Sequence, residues 1–294
     1  MPKEATQKKA KAGGKAPGIA VFIHGRRGYA AAAEHLALTL RKYDTETPLH
    51  LWAAEGMEFD PSLFTKVHTL PAKAYAQGPG TMKLNVHGLL PKGDWLYLDA
   101  DTLVASDPRP YIERLKPHDF AIHLQGIGGE HDAIAYTPWA TQATIKKVTG
   151  AKDGATYFGA QSSYMWIRKG ADLPKRIFEE ALSLPFEQKH LKERWGNDIP
   201  DELRISAALT SLGITPHTEH LMFYGSGHTY NGLTQVAAAF PFLCLYGDNR
   251  QHRLVRPTWM KDYDRYLQNV YKSAGRTYAY KLDLVMRDKY VNRQ

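Results

Sequence analysis

Cysteine is all but missing from these 294 residues: Cys244 stands alone, so one chain can form no internal disulfide framework and no thiolate metal cluster. Long apolar runs are missing too. No window approaches the roughly 18 unbroken apolar residues that a membrane-spanning helix requires. The lysine-rich start, Met1 to Pro17, is not followed by an apolar stretch with a cleavage signal. The expectation is a soluble, cytoplasmic protein without a membrane span. There is no Gly-rich loop closing on Lys-Ser or Lys-Thr, and Gly25-Arg26-Arg27-Gly28 lacks the spacing of a dinucleotide fingerprint. No internal repeat and no long linker interrupts the chain. What is present, 43% hydrophobic and 23% charged residues, is enough for one large or two small cores and excludes disorder of the whole.

The net charge of +8 sits at the ends. Residues 1–17 carry five lysines against Glu4, and residues 256–294 carry nine basic side chains against four aspartates, which leaves −1 for everything between. Basic appendages on a neutral body suit contact with a polyanion such as nucleic acid. A solvated tail and an ordinary charged helix is the simpler reading. Residues 1–17 cannot bury enough apolar surface to offset the entropy of ordering and are expected to be disordered. Near the other end, Trp259, Tyr263, Tyr266, Leu267 and Val270 recur at helix spacing among Lys261, Arg265 and Lys272. Such a stripe can stack on bases, but packing on the host domain is the favoured reading.

Between the ends the pattern alternates. Gly18 to His24 reads as a buried strand, Gly25 to Gly28 as a loop, Tyr29 to Tyr43 as a helix with Ala33, Leu36, Leu40 and Tyr43 on one face, and Pro48 to Ala54 as a second strand. Strand, helix, strand predicts a parallel sheet with ligands at the carboxyl ends of its strands. Further strands are predicted over Lys66 to Leu70, Phe120 to Leu124, Tyr164 to Arg168 and Phe240 to Tyr246, with Gly126-Ile127-Gly128-Gly129 flexible. Helices are predicted over Met82 to Leu90, Pro174 to Leu184 and Asp201 to Leu212, and Gly78-Pro79-Gly80 reads as a turn.

Asp94-Trp95-Leu96-Tyr97-Leu98-Asp99-Ala100-Asp101-Thr102-Leu103-Val104 is the most informative stretch. A buried strand running into two carboxylates two residues apart gains no stability from them, since burying ionised carboxylates costs several kcal/mol unless a cation or donors compensate. Mg²⁺ and Mn²⁺ prefer hard oxygen ligands and bind diphosphates through one or two protein carboxylates. The competing reading is a strand-end turn, with Asp99 capping backbone amides and Asp101 solvated.

This segment resembles the Asp-x-Asp motif of GT-A-fold glycosyltransferases and is most similar to the glycogenin-like and lipopolysaccharide galactosyltransferase group. Lys83 matches a basic residue that the group places near the donor. Tyr157-Phe158-Gly159-Ala160-Gln161-Ser162-Ser163 is similar to its aromatic-Asn-Ser-Gly strand, with Gly159 where Asn is usual. Pro200-Asp201-Glu202-Leu203 looks like its acidic segment near sugar and acceptor. The resemblance implies a Rossmann-like α/β domain over 18–255, with a mixed, mostly parallel sheet and flanking helices; the aromatic and basic residues at helix spacing beyond it read as a helical extension over 256–294. The resemblance also implies a hexosyltransferase-like enzyme that uses a nucleotide-diphosphate sugar, UDP-sugar favoured, with Mn²⁺ or Mg²⁺ on Asp99 and Asp101 and retention at the sugar carbon. The group's late His-aromatic-x-Gly segment, which supplies a third metal ligand, corresponds here to Cys244-Leu245-Tyr246-Gly247. A thiolate suits Mg²⁺ poorly, so His228, His252 and Asp248 remain the alternatives. Donor contacts are expected from Lys83, Arg250 and Arg253, with Arg26 and Arg27 added by their place after the first strand. Asp201 or Glu202 would serve as base toward the acceptor under inversion, or position the sugar under retention. The acceptor is a saccharide or, alternatively, a modified DNA base reached through the basic ends. A non-catalytic nucleic-acid-binding module is the remaining alternative.

Overall fold

The structure, a computed structural model, describes residues 16–129, 139–192, 198–224, 238–244 and 258–279. The chain opens with β1 (Gly18–Ile23), α1 (Arg27–Tyr43), β2 (Leu49–Ala53), β3 (Lys66–Thr69), α2 (Ala72–Tyr75), α3 (Pro79–Leu89) and β4 (Gly93–Leu98). It continues with β5 (Thr102–Val104), α4 (Arg109–Leu115), β6 (Phe120–Gly128), α5 (Gln142–Thr149), β7 (Tyr157–Lys169), α6 (Asp172–Ser183), α7 (Asp201–Leu212), β8 (Met222–Tyr224), β9 (Phe242–Cys244) and α8 (Thr258–Ser273). Six strands form one sheet in the order β3-β2-β1-β4-β7-β6, and β5-β9-β8 form a second. The pairs β1–β2, β2–β3 and β1–β4 are parallel, whereas β7 runs antiparallel to β4 and β6.

The two-residue period of the strands sorts the core into layers. In β4, Trp95 and Tyr97 face a cluster with α3, α6 and α7, while Leu96 and Leu98 face a cluster with α1. In β1, Ala20 and Phe22 take the first side and Ile19, Val21 and Ile23 the second. The central strands are therefore buried on both faces, as their apolar runs require, while the edge strand β3 is largely exposed. Helix α7 shows how local signals agree with this packing. Asp201 and Glu202 occupy its first turn, where negative charge suits the helix dipole, and Gly213 ends it at φ 62° in the left-handed region.

Three boundaries differ from the sequence expectation. Gly126 to Gly128, expected to be flexible, continue β6 against Tyr157 to Gly159, because ladder bonds to a long partner strand override the local preference of glycine. Strand β7 covers 13 residues and joins in one run the strand expected over Tyr164 to Arg168 and the Tyr157 to Ser163 segment that resembles the GT-A group's strand. Helix α3 begins at Pro79, with proline at its first position where no N–H is needed.

Helix α8 packs against α1: Val270 and Tyr271 meet Leu38, and Tyr263 and Leu267 are buried. His35 Nδ1 and the Tyr271 hydroxyl are hydrogen-bonded at 2.8 Å, and the Tyr266 hydroxyl donates to the Val104 carbonyl at 2.7 Å. Beyond the helix, Arg276 reaches Asp60 at 2.5 Å. Tyr263, Tyr266, Leu267 and Val270 of the aromatic stripe are thus used for packing. Among the described residues no helix is long and apolar enough to cross a membrane.

Candidate active site

Parallel pairing of β1 with β4 sets their carboxyl ends side by side, and a pocket opens there. Phe22, His24 and Tyr29 line it from the β1 side, Met82 and Lys83 from α3, and Asp99 and Asp101 from the end of β4. Ser163 borders it from β7, Asp201 and Glu202 from the start of α7, and Trp139 from the approach to α5.

Asp99 continues β4 for one more residue, its N–H donating to the Ser163 carbonyl at 3.0 Å, and the chain then turns, with Thr102 N donating to the Asp99 carbonyl. The next residues join the second sheet. The two carboxylates therefore occupy the seam where the chain leaves one sheet for the other. Both oxygens of Asp99 are engaged. The Lys83 ammonium donates to Oδ2 at 2.9 Å, and the Tyr97 hydroxyl, two residues back on the same strand face, donates to Oδ1 at 2.7 Å. Lys83 also lies 3.5 Å from Asp201 Oδ2 and 3.3 Å from Ser162 Oγ, and Ser162 donates to Asp201. Trp139 Nε1 donates to Glu202 Oε2 at 3.1 Å.

The charges are uneven. Among the described lining residues, four carboxylates (Asp99, Asp101, Asp201 and Glu202) face a single lysine. Burial by itself would lower the Lys83 pKa, but Asp201 and Asp99 outweigh it and hold the ammonium well above the ordinary lysine value. Asp99 lies above the usual carboxylate value because it is desolvated and sits beside Asp101, which together exceed what Lys83 returns. Desolvation, reinforced by Asp201, pushes Glu202 up to about 7. His24 is lowered by burial against the opposing pull of Asp198, so it is a neutral imidazole near neutrality; its ring stacks on Tyr75 at 5.0 Å.

Five residues singled out from the sequence, Lys83, Asp99, Asp101, Asp201 and Glu202, therefore share one pocket. Arg26 and Arg27 lie on the same turn as His24 and Tyr29, but it is the latter two that line the pocket, and Arg27 is exposed. His228, Asp248, Arg250, His252 and Arg253 lie outside the described residues. Cys244 is buried on β9 opposite Thr102, its Sγ 3.9 Å from Ser163 Oγ. Among the described residues no three His, Cys, Asp or Glu side chains form a metal-binding group. Tyr97, Ser162 and Trp139 were not singled out. The strand period could have found Tyr97, since positions i and i+2 share a face, whereas Trp139 carried no local signal.

No protein-family model matches the chain, and no curated protein matches it. Among solved structures, an active-site variant of the galactosyltransferase LgtC is similar over 87% of this chain and 95% of its own, at 15% identity and a TM-score of 0.50. The apo form of the glycosyltransferase GlyE of Streptococcus pneumoniae TIGR4 is similar over 90% of this chain and 65% of its own, at 13% identity and a TM-score of 0.50. The bifunctional glycosyltransferase WbbM is similar over 79% of this chain at 13% identity and a TM-score of 0.46; the chain spans 46% of its length. The likeness to LgtC and GlyE, with the mixed six-stranded sheet, establishes the GT-A fold.

Proposed function

We propose that this GT-A-fold chain is a glycosyltransferase that moves a sugar from a nucleotide-diphosphate sugar, UDP-sugar favoured, to a saccharide hydroxyl. The observation that carries this reading is the convergence of Asp99, Asp101, Asp201 and Glu202 around Lys83 in one pocket at the carboxyl ends of β1 and β4.

The same charge count supports a divalent cation. Among the described lining residues four carboxylates face one lysine, a balance unfavourable to a diphosphate, and Asp99 is incompletely compensated where it stands. Asp99 and Asp101 offer hard oxygen ligands of the kind Mn²⁺ and Mg²⁺ take. The carboxylate pair thus fits such an ion, with the third protein ligand sought at His228, His252 or Asp248. When bound there, the ion would act as a Lewis acid toward the charge on the departing nucleoside diphosphate.

The chain's own groups supply the rest. Lys83, held charged, offers a donor to a phosphate oxygen once it exchanges Asp99 for the ligand. Asp201, held by Ser162 and Lys83, would orient the transferred sugar under retention. Glu202 titrates near neutrality and can accept or donate at a sugar hydroxyl, with Trp139 holding one of its oxygens.

A panel of nucleotide sugars with Mn²⁺ or Mg²⁺, followed by nucleoside diphosphate release, tests the reading. Wild type is expected to release nucleotide only with metal, and Asp101→Ala to lose at least about a hundredfold of that rate. No release from folded wild type across the panel would overturn it.

A further inference from the structure

Asp198 does not line the pocket, yet its carboxylate is buried and fully engaged at the junction of two elements that do. Thr81 N donates to Oδ2 at 3.0 Å, and the Thr81 hydroxyl and Ile199 N donate to Oδ1 at 3.0 and 2.7 Å. Its main-chain carbonyl accepts from Gln188 Nε2 at 2.7 Å. The amide of Thr81 is one of the first-turn N–H groups of α3 that have no partner within the helix. Gly78, which precedes the helix, has no side chain to cap it, so Asp198 provides the cap from 117 residues away and adds negative charge at the positive end of the helix dipole.

The approach is close enough to exclude side chains. A Cβ on Gly80 would lie 2.5 Å from the Ile199 carbonyl oxygen, and one on Gly78 would lie 2.6 Å from Asp198 Oδ2. Gly78, at φ 127°, also adopts a backbone conformation that favours glycine. Two residues beyond Thr81 on α3 stands Lys83, and three residues beyond Asp198, at the start of α7, stands Asp201. These two meet across the pocket at 3.5 Å.

We propose that Asp198 is a positioning residue: its carboxylate seats the start of α3 against the start of α7 and so sets the reach of Lys83 Nζ toward Asp99 and Asp201. Resting on the function proposed above, this places the ammonium against the departing diphosphate. A brace that served stability alone would not move Lys83.

Two readouts test this on the full chain. The first needs no ligand: pulse acetylation read by mass spectrometry in wild type, Asp198→Asn and Thr81→Val, with Lys42, which lies on α1 against the Tyr43 and Tyr266 rings, as internal reference. Labelling of Lys83 relative to Lys42 is expected to rise about fivefold in Asp198→Asn and less, in the same direction, in the milder Thr81→Val. An unchanged ratio in the folded variants overturns the proposal. The second is a double-mutant cycle on nucleotide release. Asp198→Asn is expected to lower kcat about tenfold at nearly constant donor KM, and less than about twofold when Lys83 is already methionine. Equal falls in the two backgrounds would assign Asp198 to stability alone and overturn it. If wild type releases no nucleotide, the proposed function fails by itself, and the labelling still decides the role of Asp198.

Discussion

Replacing Lys83 with methionine keeps most of the side-chain volume and removes the single lysine among four carboxylates. The Lys83 contacts with Asp99 at 2.9 Å and Asp201 at 3.5 Å are each worth a gross attraction of about 5 kcal/mol at an effective dielectric of about 20. Desolvation of the ammonium offsets much of that sum. Removing one partner of a buried pair costs about 3–5 kcal/mol, because the other charge is left uncompensated. On a chain of this size the melting temperature should fall by roughly 5–8 °C. The deficit should also depend on pH. Asp99 is already raised by burial, with Lys83 as the main opposing pull, so without Lys83 it rises further. A carboxylate raised in the folded state binds its proton more tightly there than when unfolded. The stability this confers is fully present below the unfolded value and is lost as pH rises through the folded one. Melting curves of wild type and Lys83→Met, followed by tryptophan fluorescence, should therefore lie far apart at pH 8 and close together at pH 5. Millimolar Mn²⁺ should narrow the gap at pH 8 by binding the folded state. A variant that melts with wild type at pH 8, or a gap of the same size at pH 5, would refute the electrostatic account of the pocket.

Glu202 gives a complementary result. Its folded value of about 7 stands above the ordinary 4.5, so wild type should lose up to about 3 kcal/mol as pH rises between these values. Glu202→Gln should be free of that loss, and urea titrations at pH 5 and 8 would show the variant gaining on wild type. On the far side of the sheet, Tyr271→Phe leaves the buried Nδ1 of His35 without the hydroxyl it faces. The expected cost is about 1–3 kcal/mol, read as a lower urea midpoint.

Local pattern carried much of this architecture and rather less of the site. Asp99 and Asp101 could be found because the strand and the spacing of the two carboxylates are written in adjacent residues, whereas Lys83, Asp201 and Glu202 were marked by the resemblance to the GT-A group. Asp201 to Leu212 has its acidic first turn, apolar face and terminal glycine all in one stretch, and its bounds match those expected. The partners that complete the site are remote. Ser162 meets Asp201 across 39 residues, Trp139 meets Glu202 across 63, and Asp198 meets Thr81 across 117. The start of α3 was misplaced for the same reason. Gly78-Pro79-Gly80 reads as a turn until a cap arriving from a distant segment makes it the entry to a helix. Thr102 to Val104 looks like a continuation of β4, and only pairing with β9 shows that it belongs to another sheet.

That second pairing bears on when the protein can work. The seam holding Asp99 and Asp101 is closed on one side by Phe242 to Cys244, and the residues that clasp Val104 come later still, on α8. During synthesis from the N-terminus, the six-stranded sheet has all its strands once Lys169 has emerged, but the acidic turn then still lacks its anchoring strand for more than seventy further residues. Contacts of such separation form late. A nascent chain would therefore carry a folded sheet with an unfinished turn, and the pocket would take its final shape only once Phe242 to Cys244 pair with β5.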